Sequence, residues 1–362
     1  MHFLLDEMGP SRSDVDSAIK QYRAVPSQLA MNRLAQAVEA RRQPLFRSIN
    51  TAPGGTWTIL SMRADILTVA HEHPELAPVE ADLVHILSSW FNRGFIVLER
   101  ISWRSPGAVL ERLIQYEAVH EIRGWHDLRR RLEADRRCFG FFHPAIADQP
   151  LIFIEVALRR DEAWSIQEVL DAPVEPDDEE SANTAIFYSI TNCQAGLRGI
   201  PLGSFLIKQV VQELKAELPG LKHFWTLSPV PSFARWLATS GIENFTAAER
   251  SVLDQLSDPA WIKDPERSET VKPILLRACA RYLVTAKRHT QPADPVARFH
   301  LRNGATLQRI NWLGDTSPKG LKESHGLLVN YVYDEGQIDT NHDAFVHNGL
   351  VARSSLIDQL LK

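Results

Sequence analysis

A glycine-rich segment followed at once by an amphipathic run is the first feature of this sequence that could support chemistry. Between Gln194 and Leu214 the chain reads QAGLRGIPLGSFLIKQVVQEL, with Gly196, Gly199 and Gly203 within eight positions. A strand that enters such a turn and then a helix aims backbone N–H groups and the helix dipole at one point, where a phosphate can bind. The spacing matches neither a P-loop nor the dinucleotide G-x-G-x-x-G. A tight turn without a ligand is the alternative, and the pattern alone favours the two equally.

Two further side chains, a histidine and a serine, have the chemistry of proton transfer. His300 leads into Asn303 and Gly304, a turn signal, so we expect it at the edge of a strand. Ser228 ends a predicted strand, where Pro229 restrains it to an extended conformation. From the residues alone, a packing histidine and an ordinary Ser-Pro turn are the favoured interpretations. A serine hydrolase is disfavoured because no G-x-S-x-G elbow surrounds the serine.

The composition excludes several classes of protein. The chain has 362 residues, 44% hydrophobic and 23% charged, which is enough for two ordinary domains. A net charge of −5 and a pI near 6.2 argue against nucleic acid as a partner. Cys138, Cys193 and Cys279 are too scattered for a disulfide framework and suit a reducing cytosol. No apolar run approaches the roughly 20 residues of a membrane helix, and the N-terminus lacks the basic start of a secretory signal. The sequence predicts a soluble cytoplasmic protein without membrane partners.

The elements that must position these residues change character near residue 99. Amphipathic helices fill the part before it, and one of them carries an apolar stripe at i, i+3, i+4 and i+7, formed by Met31, Leu34, Ala35 and Val38. β-branched and aromatic runs after it predict strands at Leu151–Leu158, Thr184–Ile190, His223–Val230, and within the segments FHLRNGATLQRINW and GLLVNYVY. Helices are predicted between them over Ile207–Glu217, Ala247–Leu256 and Val271–Thr285. We therefore predict an α+β protein, with an all-helical bundle over residues 1–98 and a mixed α/β domain over residues 99–362.

Several blocks of the sequence resemble known enzymes. The segment Arg198–Gly203, RGIPLG, is similar to a relaxed form of the R/Q-x-x-G-x-G/A loop with which the GNAT acyltransferase superfamily grips the pyrophosphate of coenzyme A. Pro201 stands where that loop has its middle glycine, which disfavours a plain acetyltransferase. Longer blocks resemble the malonyl-CoA decarboxylase family: CQAGLRGIPLGSFLIKQVVQEL, FWTLSPVPSFARWL and FHLRNGATLQRINWLGD. The likeness continues through ISWRSPGAVLERL, RRCFGFFHP and GLLVNYVY, and it implies a GNAT-like catalytic domain after a helical N-terminal domain.

The resemblance also implies a reaction and a set of site residues. Malonyl-CoA and a proton would give acetyl-CoA and CO2, and no cofactor or metal is needed because the thioester carbonyl of the substrate accepts the electrons. His300 is implied as the catalytic acid and Ser228 as its partner, donating to the thioester oxygen or shuttling a proton. Tyr331 is expected to contact the malonyl group, although a strand tyrosine is more often packing. The substrate-binding loop would comprise Arg198, Gly199, Ile200, Pro201, Leu202, Gly203 and Ser204.

Other functions and roles stay open at this point. A GNAT-type N-acyltransferase that uses acetyl-CoA, or a non-catalytic malonyl-CoA sensor, would share the coenzyme A loop. The basic run Arg129–Arg137 is expected to be a solvated helix face, with contact to the 3′-phosphate of coenzyme A as the alternative. The apolar faces of the N-terminal helices predict either core or the interface of a homo-oligomer.

Overall fold

The computed structural model describes residues 3–173, 178–200, 202, 206–241, 245–288 and 291–362. Contacts between residues divide the chain into two units. The helical unit comprises Met1–Glu99, Phe141–Ile152 and Asn192–Gly203. The sheet unit comprises Arg100–Gly140, Phe153–Thr191 and Ser204–Lys362. The predicted fold class, a helical N-terminal part followed by mixed α/β structure, is confirmed.

The helical unit is built from the helices α1 Arg12–Ala24, α2 Gln28–Val38, α3 Arg42–Asn50, α4 Gly55–Val69 and α5 Ala77–Trp90. Ser11 caps α1, because its side chain accepts a hydrogen bond from the backbone N–H of Asp14. Helix α4 begins at Gly55, the second glycine of the segment TAPGG. The core of the unit includes Phe46, Ile59 and Leu83, which are fully buried.

The apolar stripe of α2 does not belong to this core. In that helix Ala30 is the buried position, whereas the side chains of Met31 and Val38 are 42% and 49% exposed. Ala35 is also exposed, and Leu34 is half-buried. The heptad-like spacing therefore predicts the helix correctly and leaves its apolar side facing outward in the single chain.

The sheet unit mixes strands and helices. Its strands are β1 Val97–Ile101, β2 Arg136–Phe142, β3 Ile152–Arg159, β4 Thr184–Asn192, β5 His223–Thr226, β6 Ser228–Pro229, β7 Lys287–Arg288, β8 Gln291–Pro292, β9 Thr306–Asn311 and β10 Leu328–Val332. Its helices are α6 Gly107–Tyr116, α7 Trp125–Arg131, α8 Ile166–Leu170, α9 Asp178–Ser181, α10 Leu206–Glu217, α11 Phe233–Trp236, α12 Ala247–Leu253, α13 Pro265–Thr285, α14 Pro295–Arg302, α15 Pro318–Ser324, α16 Ile338–Asn348 and α17 Ser355–Leu361. Strand β1 starts at Val97, so it includes the last two residues of the part predicted to be wholly helical.

The main sheet orders its strands β1-β2-β3-β4-β5-β10-β6, and β9 pairs with β10. Strands β4 and β5 are parallel, with Ala185 opposite Phe224. Strand β10 is antiparallel to β5 and β6, and its register places Val329 opposite Ser228. One face of the sheet packs on α8 through buried side chains: Ala157, Ala163, Ile166, Val169, Ile186, Tyr188, Trp225, Leu227 and Leu328. Strand β10 thus lies beside the serine that the sequence singles out.

The basic run Arg129–Arg137 differs from its prediction. It spans the end of α7 and the start of β2 and is not one helix face. Three of its arginines are buried and ion-paired: Arg131 with Glu155, Arg136 with Asp135, and Arg137 with Glu217. A buried guanidinium needs a carboxylate partner, and those partners lie up to eighty residues away in the chain. The prediction of a solvated face was therefore wrong for these three side chains.

The segment around His300 was also mispredicted. The residues before Asn303 form α14, and strand character begins only at Thr306, where β9 starts. Asp294 caps α14 by accepting hydrogen bonds from two backbone N–H groups, and Pro295 occupies the first helical position. This start signal outweighs the alternation of apolar residues that suggested a strand. Likewise α13 begins six residues before its prediction, behind Asp264 and Pro265.

Within the parts of the chain that the structure describes, no helix combines the length and apolar character needed to cross a bilayer.

Candidate active site

His300 lies in the last turn of α14 and not at a strand edge. Its side chain is 2% exposed, and burial lowers its pKa from 6.5 to about 3. The C-terminal end of a helix favours a cation, but here the loss of hydration outweighs that attraction. The imidazole is therefore neutral at physiological pH, with one nitrogen that donates and one that accepts.

Ser228 is the hydrogen-bond partner of this imidazole. Its Oγ lies 2.9 Å from Nε2 of His300, and Ser228 Oγ also donates to Oγ1 of Thr226 at 2.8 Å. The backbone N–H of Tyr331 donates to the same Oγ1 of Thr226 at 3.0 Å. Because the serine proton goes to Thr226, Nε2 of His300 must carry the proton of the Ser228–His300 bond. The sequence places this serine and this histidine 72 positions apart, and the fold brings them together.

Two tyrosines hold the histidine ring: Tyr331, which lies in β10, and Tyr333, which directly follows that strand. The hydroxyl of Tyr333 lies 2.8 Å from Nδ1 of His300, and it must donate, since Nδ1 of a neutral imidazole protonated at Nε2 is an acceptor. The ring of Tyr331 stacks on the imidazole, with centroids 4.5 Å apart and planes 21° apart. Burial raises the pKa of both tyrosines well above 10, so both are protonated in the resting site.

Together these residues form one chain of hydrogen bonds, which we call the relay: Tyr333 to His300, His300 to Ser228, and Ser228 to Thr226. In the last bond of the relay, the hydroxyl of Ser228 donates to the hydroxyl of Thr226. Because a hydroxyl is a weak acceptor, the Ser228 hydroxyl can rotate and donate to a stronger acceptor. Such a chain can deliver a proton from Nε2 and replace it at Nδ1. It can also donate a hydrogen bond to a developing oxyanion.

Tyr333, Thr226 and Asp294 were not among the site residues predicted from the sequence. Signals for each were present: Tyr333 is two residues from Tyr331 and shares its face of the strand, and Thr226 has the same relation to Ser228. The Asp-Pro pair at Asp294 is a helix start signal.

The glycine-rich loop belongs to the helical unit, whereas the relay belongs to the sheet unit. A Cβ on Gly196 would come within 2.2 Å of the carbonyl oxygen of Leu60, so this position admits glycine alone without a shift. Gly199 has φ +77°, with open space where a Cβ would be. The fold therefore requires glycine at these two positions whether or not a ligand binds there. Of the remaining predicted loop residues, Arg198 is exposed, Ile200 and Leu202 are buried, and Pro201, Gly203 and Ser204 lie outside the described residues.

Among the described residues, no group of three or more His, Cys, Asp or Glu side chains is arranged to hold a metal ion.

Models of two known protein families match the chain. A model of the malonyl-CoA decarboxylase C-terminal domain matches residues 94–362, and a model of the malonyl-CoA decarboxylase N-terminal domain matches residues 8–91. The chain belongs to the malonyl-CoA decarboxylase family. Decarboxylases of this kind are carboxy-lyases, and the family assignment places the chain among them.

Individual relatives cover most of the chain. The mitochondrial malonyl-CoA decarboxylase of Anser anser anser is 37% identical over 345 residues, 88% of this chain and 68% of that protein. The mitochondrial enzyme of Mus musculus is 38% identical over 332 residues, 84% of this chain and 68% of that protein. The crystal structure of malonyl-CoA decarboxylase from Rhodopseudomonas palustris is similar at TM-score 0.95 and 47% identity, over 99% of this chain and 88% of that one. That from Agrobacterium vitis gives TM-score 0.94 and 48% identity, over 100% and 89% of the two chains.

Proposed function

We propose that this protein converts malonyl-CoA and a proton into acetyl-CoA and CO2. The observation that supports this proposal most directly is the hydrogen bond between Ser228 and His300, in a chain that belongs to the malonyl-CoA decarboxylase family. The test is to mix the purified protein with malonyl-CoA, without added cofactors, and to follow acetyl-CoA and CO2. Formation of both in equal amounts supports the proposal. Acetyl transfer to amine acceptors instead would indicate an N-acyltransferase, and binding without turnover would indicate a sensor.

The proposed reaction breaks the bond between the carboxylate carbon and C2 of the malonyl group. The electron pair of that bond moves into the thioester carbonyl and gives an enolate, and CO2 leaves. The Ser228 hydroxyl turns from Thr226 to the enolate oxygen and stabilises the charge that develops there. Since the thioester is the electron sink, we propose that coenzyme A, as part of the substrate, is the group required and that no separate cofactor takes part.

We propose that His300 delivers the proton to C2 in its neutral form. A carbanion beside a thioester is a much stronger base than an imidazole nitrogen, so the Nε2–H can be transferred although the pKa of the cationic form is about 3. Tyr333 donates its proton to Nδ1 as Nε2 loses its own, and one proton from water then restores the relay. The balance is one proton consumed for each CO2 released. Tyr331, which stacks on His300, is proposed to contact the malonyl group.

The segment Arg198–Ser204 is proposed to bind the pyrophosphate of coenzyme A. Support comes from its likeness to the GNAT loop, from the exposed position of Arg198 and from the open space beside Gly199. Backbone access matters more in such a loop than any one side chain. We expect Gly203→Val to weaken coenzyme A binding in a folded protein, as measured by calorimetry. Unchanged coenzyme A affinity in this variant would indicate that the glycines serve the turn and not the ligand.

We also propose that the protein is a homo-oligomer that assembles through a helical domain over residues 1–98. The exposed apolar side of α2, including Met31 and Val38, supports this because a second copy would remove it from water. Val38→Asp should shift the sedimentation coefficient toward that of a monomer. Arg33→Glu, which changes charge on the same helix away from the stripe, should not. Loss of assembly in both variants would contradict the assignment of the stripe.

A cytoplasmic location is proposed from the thiols. The thiols of Cys138, Cys193 and Cys279 are buried and none of them is in a disulfide, the state that a reducing compartment maintains. If whole cells are lysed in denaturant with an alkylating reagent, mass spectrometry should find all three thiols alkylated, and a disulfide at any of them would contradict the proposal.

A further inference from the structure

Arg63 of the helical unit contacts the glycine-rich loop through two backbone carbonyls. Its Nη1 donates to the carbonyl oxygen of Gly196 at 2.5 Å, and its Nη2 donates to that of Arg198 at 2.9 Å. The arginine lies on α4 and is 3% exposed. Hydrogen bonds from a buried cation are stronger than those between neutral groups, so these two contacts fix the loop more firmly than ordinary turn bonds.

A second contact from the same face of α4 supports the same segment. Leu60 is one helical turn before Arg63, and its carbonyl leaves no room for a Cβ on Gly196. Gly196 is therefore pressed against the helix at the point where its own carbonyl accepts from Arg63. The loop is held by close packing and by hydrogen bonds at one position.

Glu80 of α5 fixes the guanidinium from the other side. Its Oε1 accepts from Nε of Arg63 at 3.1 Å and from Nη2 at 2.7 Å. This carboxylate compensates the buried charge and orients the planar donor fork. Glu80 thereby determines where the Nη1 and Nη2 donors point.

The contact with Arg198 has a consequence for the backbone that follows it. In a planar trans peptide the C=O and the next N–H point in opposite directions. Because the carbonyl of Arg198 points to Arg63, the N–H of Gly199 points away from α4. Gly199 is exposed, with φ +77° and open space at its Cβ position. A backbone N–H presented in this way is the kind of donor that phosphate oxygens accept.

We propose that Arg63, oriented by Glu80, is a positioning residue that sets the backbone of Gly196–Gly199 for coenzyme A binding. The inference rests on the proposed pyrophosphate role of this loop. It assigns part of substrate binding to a side chain of the helical unit that touches no reacting atom.

The test replaces Arg63 and compares it with a matched buried arginine of the same unit. Arg63→Met removes the donors and keeps most of the apolar stem. Arg42 is the control because it is 4% exposed, pairs with Asp82 and donates to the carbonyls of Leu4 and Pro78, far from the loop in sequence. Both substitutions leave a half-buried carboxylate partner and two backbone carbonyls without their donor, so both should lower the unfolding temperature.

Only Arg63→Met should change ligand binding. Loss of two charge-assisted hydrogen bonds predicts a Kd for coenzyme A and a KM for malonyl-CoA that rise about ten- to a hundredfold, with kcat within about threefold of the parent. Arg63→Lys keeps the charge next to Glu80 and can reach fewer acceptors. Its Kd for coenzyme A should lie between those of the parent and of Arg63→Met. Unchanged coenzyme A affinity in Arg63→Met, or equal weakening in Arg42→Met, overturns the proposal.

Two further variants complete the test. If Arg63→Met does not fold, Glu80→Gln, which loosens the guanidinium and leaves it in place, should raise the same Kd while Asp82→Asn does not. We call Arg63 and Glu80 together the clamp. The variant Gly203→Val distinguishes the role of the clamp from the role of the loop in coenzyme A binding. Weaker binding in Gly203→Val together with normal binding in Arg63→Met would overturn the clamp alone. Normal binding in both would overturn the role of the loop and the clamp with it.

Discussion

Tyr333 places its hydroxyl 2.8 Å from Nδ1 of His300, on the opposite side of the imidazole from Ser228. This contact fixes the tautomer, because a phenol that keeps its proton donates to Nδ1 and leaves the other proton on Nε2. Burial keeps the phenol protonated by raising its pKa well above 10. The histidine therefore presents an N–H to the serine side of the site even when it is neutral.

Tyr333→Phe should lower kcat by about ten- to a thousandfold, because it removes the donor that replaces the proton lost from Nε2. It should also allow the Nδ1–H tautomer to form, and nitrogen NMR of the imidazole would detect this change. Coenzyme A affinity should stay near that of the parent. A variant with the parent kcat and tautomer would show that Tyr333 only packs.

Tyr188→Phe is the matched control. Tyr188 is also a buried tyrosine of the sheet unit, and its hydroxyl has no hydrogen-bond partner among the described residues. Tyr188→Phe removes one buried phenol oxygen, as Tyr333→Phe does, but the oxygen that it removes does not contact His300. The control should retain kcat, and an equal loss in both variants would indicate a general effect on packing.

His300 and Ser228 should affect turnover and leave coenzyme A affinity nearly intact. Removal of a general acid costs roughly 10²–10⁴ in rate, and removal of an oxyanion donor roughly 10²–10³. We expect His300→Asn and Ser228→Ala to lose kcat in these ranges. Since the two groups act as a unit through one hydrogen bond, the double variant should be far less impaired than the product of the single losses.

His325→Asn serves as the control for the histidine. His325 has φ +51°, a left-handed conformation that asparagine tolerates, and its pKa is lowered by burial to about 4, as that of His300 is lowered. It follows α15 and takes no part in the relay. CO2 release at the parent rate by a folded His300→Asn would contradict the catalytic assignment.

The sequence predicted elements where a local signal was strong and undivided. Helices α2 and α10 agree with their apolar periodicity, and strands β3 and β4 agree with their runs of β-branched and aromatic residues. The segment around His300 has two competing signals, alternation of apolar residues and the Asp294-Pro295 helix start, and the cap decided the outcome. Periodicity indicates which side of an element is apolar, and the capping residue determines where the element begins.

The site was predictable in part for a similar reason. Ser228 and His300 were identified through resemblance, since neither residue is distinctive by spacing alone. Tyr333 and Thr226 join the site only when β5, β10 and α14 meet. The hydrogen-bonded pairs involved are distant in the chain: Tyr333 and His300 are 33 residues apart, and Ser228 and His300 are 72 apart. The burial of Arg131 depends on its ion pair with Glu155, which is 24 residues away on β3, and no local signal in the basic run indicates that partner.

The low pKa of His300 predicts an unusual pH dependence of turnover. A cationic histidine acid with an ordinary pKa would lose activity as pH rises through 6.5. A histidine that donates while neutral, with a pKa of about 3, has no such loss, so kcat should be flat from pH 6 to pH 8. Steady-state measurements at saturating malonyl-CoA test this, and a tenfold fall across that window would contradict the neutral-acid mechanism.

The low pKa of His300 also predicts that the free energy of unfolding depends on pH. Between pH 6.5 and pH 3 the unfolded chain binds a proton at His300 that the folded chain does not, so stability is lost as pH falls through this window. The slope is at most about 1.4 kcal/mol per pH unit. Asp294, whose pKa burial raises to about 6, has the opposite sign, but it is present in both proteins when the parent is compared with His300→Asn. Urea unfolding at several pH values should show a shallower loss in the variant, and equal slopes would contradict the buried neutral state.

Gly196 provides a prediction about the loop that needs no ligand. A methyl group there would approach the carbonyl of Leu60 to 2.2 Å, and backbone on both sides must move to admit it. Gly196→Ala should therefore lower the free energy of unfolding by about 1–3 kcal/mol, as overpacking does in other well-packed sites. Gly107→Ala is the control, because a Cβ there meets nothing within 4 Å and α6 begins at that residue, where alanine restricts the unfolded chain. The control should match or exceed the parent in stability, and a Gly196→Ala protein as stable as the parent would show that the loop does not pack on α4 as described.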